Sequence, residues 1–155
     1  MHCDGPTARP MAGIVAVLFS VGLVGCNRGA QVVTSIEFDG NSRSIATKDV
    51  VCTKQLNGGL VILVDDGRKR TVRIQLTQQG RLLVQKAGLR YDDMAGFVAD
   101  PREVTATKVD DTYTFSGRMP PNPGESQWHS FKVETTCPGY QDAGPPAGNA
   151  PRGAP

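Results

Sequence analysis

Between Val32 and Cys137 the sequence alternates apolar and polar residues with a period of two, and tight turns interrupt it before any helical period develops. Val32, Thr34, Ile36 and Phe38 fall on one side of an extended chain, as do Val72, Ile74 and Leu76, and again Phe131, Val133, Thr135 and Cys137. Successive side chains of a strand point to opposite faces, so each run predicts a strand with one buried face. Asp39-Gly40-Asn41, Asp65-Asp66-Gly67, Gln78-Gln79-Gly80 and Asp110-Asp111 carry the turn residues that reverse a chain. Leu60-Val61-Ile62-Leu63-Val64 is apolar on both sides and predicts a central strand covered on both faces. Further strands are expected near Asp49 to Lys54 and around Leu82-Leu83-Val84, whereas 88–100 predicts an irregular loop or a short helix before Pro101. Short strands joined by tight turns imply an all-β, mainly antiparallel domain, folded as a sandwich or a part-closed barrel.

What precedes this domain places it in the cell. Arg9 is followed by the apolar run Met11 to Val24. A run of about fourteen residues is too short for a bilayer core that needs about twenty, and it has the length of a signal-peptide hydrophobic region. It ends in Leu23-Val24-Gly25-Cys26, a lipobox. The Cys26 thiol is the nucleophile that accepts a diacylglyceryl group as a thioether, and small neighbours admit a signal peptidase that cuts between Gly25 and Cys26. A chain so processed is held on the extracytoplasmic face of the cell membrane by its acyl chains, palmitate among them, because each buried methylene contributes about 0.8 kcal/mol. The expected organisation is a signal peptide over 1–25, a lipid-anchored linker over 26–31, the β domain over 32–138, and a disordered Pro-, Gly- and Ala-rich tail over 139–155.

Cysteine usage agrees with export. Cys3 leaves with the leader and Cys26 carries lipid, so Cys52 and Cys137 remain, and a lone pair in an oxidising compartment predicts a disulfide. Metal-ligating thiolates are the competing reading, but the close cysteine spacing of zinc sites is missing.

Phe38-Asp39-Gly40, Val51-Cys52-Thr53, Ala106-Thr107-Lys108 with Tyr113 and Gly117, and Phe131-Lys132-Val133-Glu134-Thr135-Thr136-Cys137 together resemble the mycobacterial 19 kDa lipoprotein antigen family. The likeness runs from about Val33 to Cys137. It implies an acylated envelope protein without established enzymatic activity, whose lipidated terminus is sensed by host Toll-like receptor 2 in pathogenic members. The long Thr- and Ser-rich linker that the family's better-known member carries is replaced here by Asn27-Arg28-Gly29-Ala30, which argues against glycosylation at that place.

The inventory for catalysis is thin. His129 is the histidine that remains after processing, and Gly124-Glu125-Ser126-Gln127-Trp128 begins like a nucleophile elbow but lacks its closing glycine. Asp65-Asp66, Asp92-Asp93 and Asp110-Asp111 offer carboxylates to calcium, although Asp is also favoured at turns for its own backbone hydrogen bonds. Arg68-Lys69-Arg70 with Arg73 forms a basic cluster that suits an anionic lipid or polymer, or simply a solvated hairpin tip. With 17 Lys and Arg against 15 Asp and Glu, the chain lacks the localised basic excess of a nucleic-acid binder. No cofactor motif stands out. The expected function is therefore non-catalytic display or binding at the envelope. A carrier or chaperone of an apolar cell-wall lipid or other ligand, held between the two faces of the fold, is the alternative, and a hydrolase using Ser126 or His129 is a distant third.

Overall fold

The computed structural model describes residues 30–78 and 80–144. Eleven strands follow one another: β1 (Val32–Phe38), β2 (Asn41–Thr47), β3 (Asp49–Lys54), β4 (Gly59–Asp65), β5 (Arg70–Thr77), β6 (Leu83–Tyr91), β7 (Met94–Val98), β8 (Val104–Val109), β9 (Thr112–Met119), β10 (His129–Thr136) and β11 (Tyr140–Asp142). The helical content of the described residues is a single 3-10 turn at Pro101–Glu103, capped by the Asp100 carboxylate, which accepts from the Arg102 amide. Two sheets result, ordered β2-β1-β10-β9-β8 and β11-β3-β4-β5-β6-β7. Every pairing is antiparallel except β11 with β3, so the expected all-β fold is a two-sheet sandwich rather than a closed barrel.

The period-two pattern becomes the core. Ile36, Phe38, Tyr113, Phe115, Phe131 and Val133 from the five-stranded sheet meet Leu60, Ile62, Val64, Val72, Ile74 and Leu76 from the other, and all are buried. Within this apolar cluster Thr34 and Thr135 share a hydrogen bond of 2.7 Å, each satisfying a hydroxyl that would be costly to bury alone. Three contacts define how the sheets lie across each other. Thr47 at the end of β2 donates to the Asp65 carbonyl at the end of β4 (2.7 Å), and Tyr91 at the end of β6 donates to the Ser44 carbonyl (3.3 Å). Gln78, just beyond β5, donates to the Tyr113 hydroxyl near the start of β9 (3.0 Å). Strand β2 thus runs along one end of the six-stranded sheet while β9 meets the other end, so the strands of the two layers cross.

Backbone closeness at one point fixes a residue type. Gly117 pairs with Val104, and a Cβ there would run into the Glu103 carbonyl, so a side chain would push β8 off β9.

Four readings of the sequence are corrected. Asn41–Thr47 forms β2, which the apolar pattern of the sequence does not mark because Asn41, Ser42, Arg43 and Ser44 are all exposed and only Ile45 and Thr47 turn inward. The segment 88–100 is neither loop nor helix: it completes β6 and supplies β7, joined by a hairpin at Asp92-Asp93. Only one side of β4 is covered, because Leu60, Ile62 and Val64 are buried while Val61 and Leu63 lie half-buried on the outer surface of their sheet. Finally, the folded chain continues past Pro138 into β11, and the Ala143 amide donates to the Lys54 carbonyl (2.8 Å); the rest of the expected tail, 145–155, lies outside the described residues.

Cys52 of β3 and Cys137, just after β10, form a disulfide with Cα atoms 5.9 Å apart, and both are buried. It joins the two sheets across 85 residues of sequence. Reducing it, or replacing both residues by Ala, is expected to lower unfolding stability by about 4 kcal/mol, read from denaturant titration in oxidised and reduced buffer. An unchanged midpoint would show that packing alone holds the sheets together.

Candidate functional site

The lipobox residues Gly25 and Cys26 lie outside the described residues. Described chain starts at Ala30, and β1 begins two residues later. No helix among the described residues is long and apolar enough to cross a membrane.

His129 opens β10 at one end of the sandwich. Its Nδ1 lies 2.7 Å from Asp39 Oδ2 and its Nε2 lies 2.6 Å from Glu125 Oε2, while the ring stacks on Phe38 at 4.9 Å. Asp39 reaches this position from the β1–β2 turn, where it adopts a left-handed φ of 48° that an Asp tolerates. Its other carboxylate oxygen accepts from the Ser130 amide (2.8 Å). Glu125 comes from the loop before β10 and also accepts from the Asn122 amide (2.9 Å), and the Asn122 side chain donates to the Ala95 carbonyl of β7 (2.8 Å). The clamp therefore fastens the 120–128 loop over the end of both sheets. Near it, Arg118 forms an ion pair with Glu103 (2.9 Å) and lies 5.2 Å from the Trp128 ring.

A neutral imidazole has one N–H and would turn a lone pair toward one of these carboxylates, so the clamp selects the imidazolium, which donates from both nitrogens. Accordingly the His129 pKa is raised, first by the hydrogen bond to Asp39 and then by that to Glu125, against the opposing effect of burial. His129 in turn lowers the pKa of Asp39 and of Glu125. Both ring nitrogens are occupied, leaving none to activate Ser126, which is exposed in the loop. The Ser126–His129 pair considered from sequence is not assembled.

A second polar cluster surrounds the disulfide. The Tyr140 hydroxyl donates to Asp111 Oδ1 (2.8 Å) and lies 3.1 Å from the Tyr113 hydroxyl. With the Tyr140 proton committed to Asp111, Tyr113 donates to Tyr140 and accepts from Gln78. Burial, the Tyr113 hydroxyl and the Asp111 carboxylate together push the Tyr140 phenol well above its usual pKa. Lys54 and Lys108 lie 4.9 and 5.7 Å from the Tyr140 ring, positions suited to cation–π attraction. The hydrogen bonds of the two phenols tie β11 to the β8–β9 turn.

The acidic pairs prove to be turn chemistry. Asp65 and Asp66 accept from the amides of Gly67 (2.8 Å) and Arg68 (2.9 Å). Asp92 and Asp110 take left-handed φ values of 54° and 51° at their hairpins. Among the described residues no group of three or more His, Cys, Asp or Glu is arranged to hold a metal ion. The basic cluster divides: Arg70 is drawn to Asp92 (3.1 Å) and lies 4.5 Å from the Tyr91 ring, Arg68 and Lys69 remain exposed at the tip, and Arg73 joins the outer surface of the six-stranded sheet. An open cleft of about 630 Å³ lies between β6 and β8, lined by Leu82, Leu83, Pro101 and Val104, with Arg81 and Arg102 among its polar walls. Arg102 is itself paired with Asp100 (2.8 Å), which holds the Asp100 carboxyl down at about 2.

Residues 28–137 match the protein family described as Mycobacterium 19 kDa lipoprotein antigen. The chain belongs to this family. The matched span contains both disulfide cysteines, the whole clamp and every strand except β11. No curated protein matches the chain. Membership confirms the likeness seen in the sequence and makes the protein one of a family of lipoprotein antigens.

Neither polar cluster was found from sequence, because their members are far apart: Asp39 and His129 are separated by 90 residues. The available signal was the Asp39-Gly40 turn, which names the residue but not its partner.

The pH dependence of the clamp follows from the three shifts. The raised His129 pKa contributes stability that is complete below its ordinary value of 6.5 and is lost as pH rises through the folded value. The lowered Asp39 and Glu125 values contribute above their ordinary 3.8 and 4.5, and that contribution is lost as pH falls through the folded values. His129→Gln should therefore lower Tm by a few degrees near pH 5.5, between the ordinary carboxylate and imidazole values, and by less at strongly alkaline or strongly acid pH, where one partner is discharged. Melting curves of both proteins across that range test this, and a difference independent of pH would contradict the imidazolium.

Proposed function

We propose that the chain is an acylated envelope lipoprotein that works by display or binding at the membrane surface and not by catalysis. The observation that carries this reading is the sequence Leu23-Val24-Gly25-Cys26 at the end of an export-type apolar run, placed immediately before a domain of the lipoprotein antigen family. Cleavage between Gly25 and Cys26 leaves a lipidated Cys26 as first residue. Six residues from there the chain enters β1 at Val32, a span of at most about 20 Å, so the sandwich sits close to the lipid headgroups. The acyl chains make the membrane the first partner, on the extracytoplasmic side, and the lipidated terminus is the part that host Toll-like receptor 2 would sense. His129 supports a non-catalytic role, since carboxylates occupy both of its nitrogens. An apolar ligand carried between the sheets has less support, because their inner faces meet in one buried cluster.

Growth of the native host on radiolabelled palmitate tests the anchor. Label should enter the wild-type protein and Cys52→Ala, but not Cys26→Ala. Equal labelling of Cys26→Ala would overturn the assignment.

A further inference from the structure

The outward side of the six-stranded sheet has a character that neither the core nor the anchor explains. Paired residues Val51, Leu63, Arg73, Gly88 and Phe97 form one row across β3 to β7, and Thr53, Val61, Gln75 and Lys86 form the row beside it. Val51, Val61 and Leu63 are half-buried on this surface, and Phe97 is 54% exposed. Arg73, Lys86 and Arg90 are exposed around them. Neither row contains a carboxylate. Asp49 and Asp65 stand in a third row with Thr71, Arg90 and Ala95, where the Gly67 amide donates to Asp65. Since Gly88 has no side chain, a shallow hollow of about 370 Å³ opens beside Phe97, rimmed by Arg73 and Lys86.

The other sheet presents a different surface. One outward row runs Ser44, Ser35, Glu134, Thr114 and Thr107, polar throughout, with Glu37 and Lys132, of opposite sign, on one side of it; on the other side the exposed Val33 and Val109 stand apart on β1 and β8, two strands between them. Only the six-stranded sheet combines aliphatic surface, an exposed aromatic ring and an excess of cations.

We propose that this face docks on an anionic lipid bilayer, with Phe97 and the Val61–Leu63 strip entering the headgroup region and Arg73, Lys86 and Arg90 meeting lipid phosphates. Charge complementarity carries the assignment: three cations around an apolar centre with no carboxylate in the two central rows match a negative surface with an apolar interior. Position adds to it, and this part rests on the proposed Cys26 anchor. Val32 pairs with Thr47, which donates to the Asp65 carbonyl, so the anchored end of the chain emerges at a corner of this same sheet. A tether of a few residues keeps the face at high local concentration near the membrane. Arg68 and Lys69 at the β4–β5 tip lie at that end and add to the attraction.

Hydroxyl-radical footprinting of the full acylated protein on vesicles tests the docking. Trp128, 49% exposed and covered in part by Arg118 of the five-stranded sheet, is the internal standard for Phe97. On vesicles of phosphatidylcholine and phosphatidylglycerol in equal parts, oxidation of Phe97 relative to Trp128 should fall about threefold or more compared with pure phosphatidylcholine. High salt, and separately Arg73→Glu with Lys86→Glu and Arg90→Glu, should remove the protection. Co-flotation with pure phosphatidylcholine vesicles reports the anchor independently. Flotation with both vesicle types but equal oxidation of Phe97 would overturn the docking and leave the anchor standing. Flotation with anionic vesicles alone, with Phe97 protected, would overturn the anchor and leave the docking standing.

Discussion

The bond between Cys52 and Cys137 governs one corner of the molecule. It holds the end of β10, in the five-stranded sheet, against β3 of the six-stranded one, at a Cα separation of 5.9 Å. Three residues after Cys137 the chain lies parallel to β3, with Tyr140 beside Cys52. A three-residue strand at a sheet edge has little stability alone, so the position of β11 follows from the covalent tie and from the Tyr140 bonds to Asp111 and Tyr113. At the opposite end of β10, His129 closes the sandwich through charge instead, with Asp39 and Glu125 on either side. One strand thus carries a redox-dependent fastening at its finish and a pH-dependent one at its start.

Strands that bury one face were legible in the sequence because solvent on one side and core on the other write a period of two. β1, β5 and β10 are examples, each with alternate residues buried. Where a second constraint interferes, the pattern fails. β2 is an edge strand whose first four residues are exposed, so it carries no apolar alternation there. In β6 a register shift opposite Gln75 and Leu76 breaks the alternation, so the sequence marks the start of the strand near Leu82-Leu83-Val84 but not its continuation to Tyr91 or the hairpin that follows. β4 misled in the other direction: five apolar residues imply cover on both sides, yet Val61 and Leu63 face outward. The excess of apolar character there is a property of the surface, not of the core.

The cysteine pair was legible from compartment and count alone, as was membership of the 19 kDa lipoprotein antigen family from its ordered motifs. The carboxylate clamp was not, because a charge pair between residues 39 and 129 exists only once the fold has brought them together. Likewise the basic cluster of the sequence separates in space: Arg70 is taken up by Asp92, while Arg73 finds Lys86, Arg90 and Phe97 as neighbours on its sheet. With the anchor proposed at Cys26, the cationic apolar face of the six-stranded sheet is the one suited to rest on a membrane and the outer face of the other sheet the one left for display.

The intact mass of the mature protein from its native host, before and after reduction, bears most directly on this account. A mass corresponding to Cys26 onward plus diacylglyceryl and further acyl groups, rising by two hydrogen atoms on reduction, is the expected result. A chain that retains its first 25 residues without lipid, or one whose mass does not change on reduction, would contradict it.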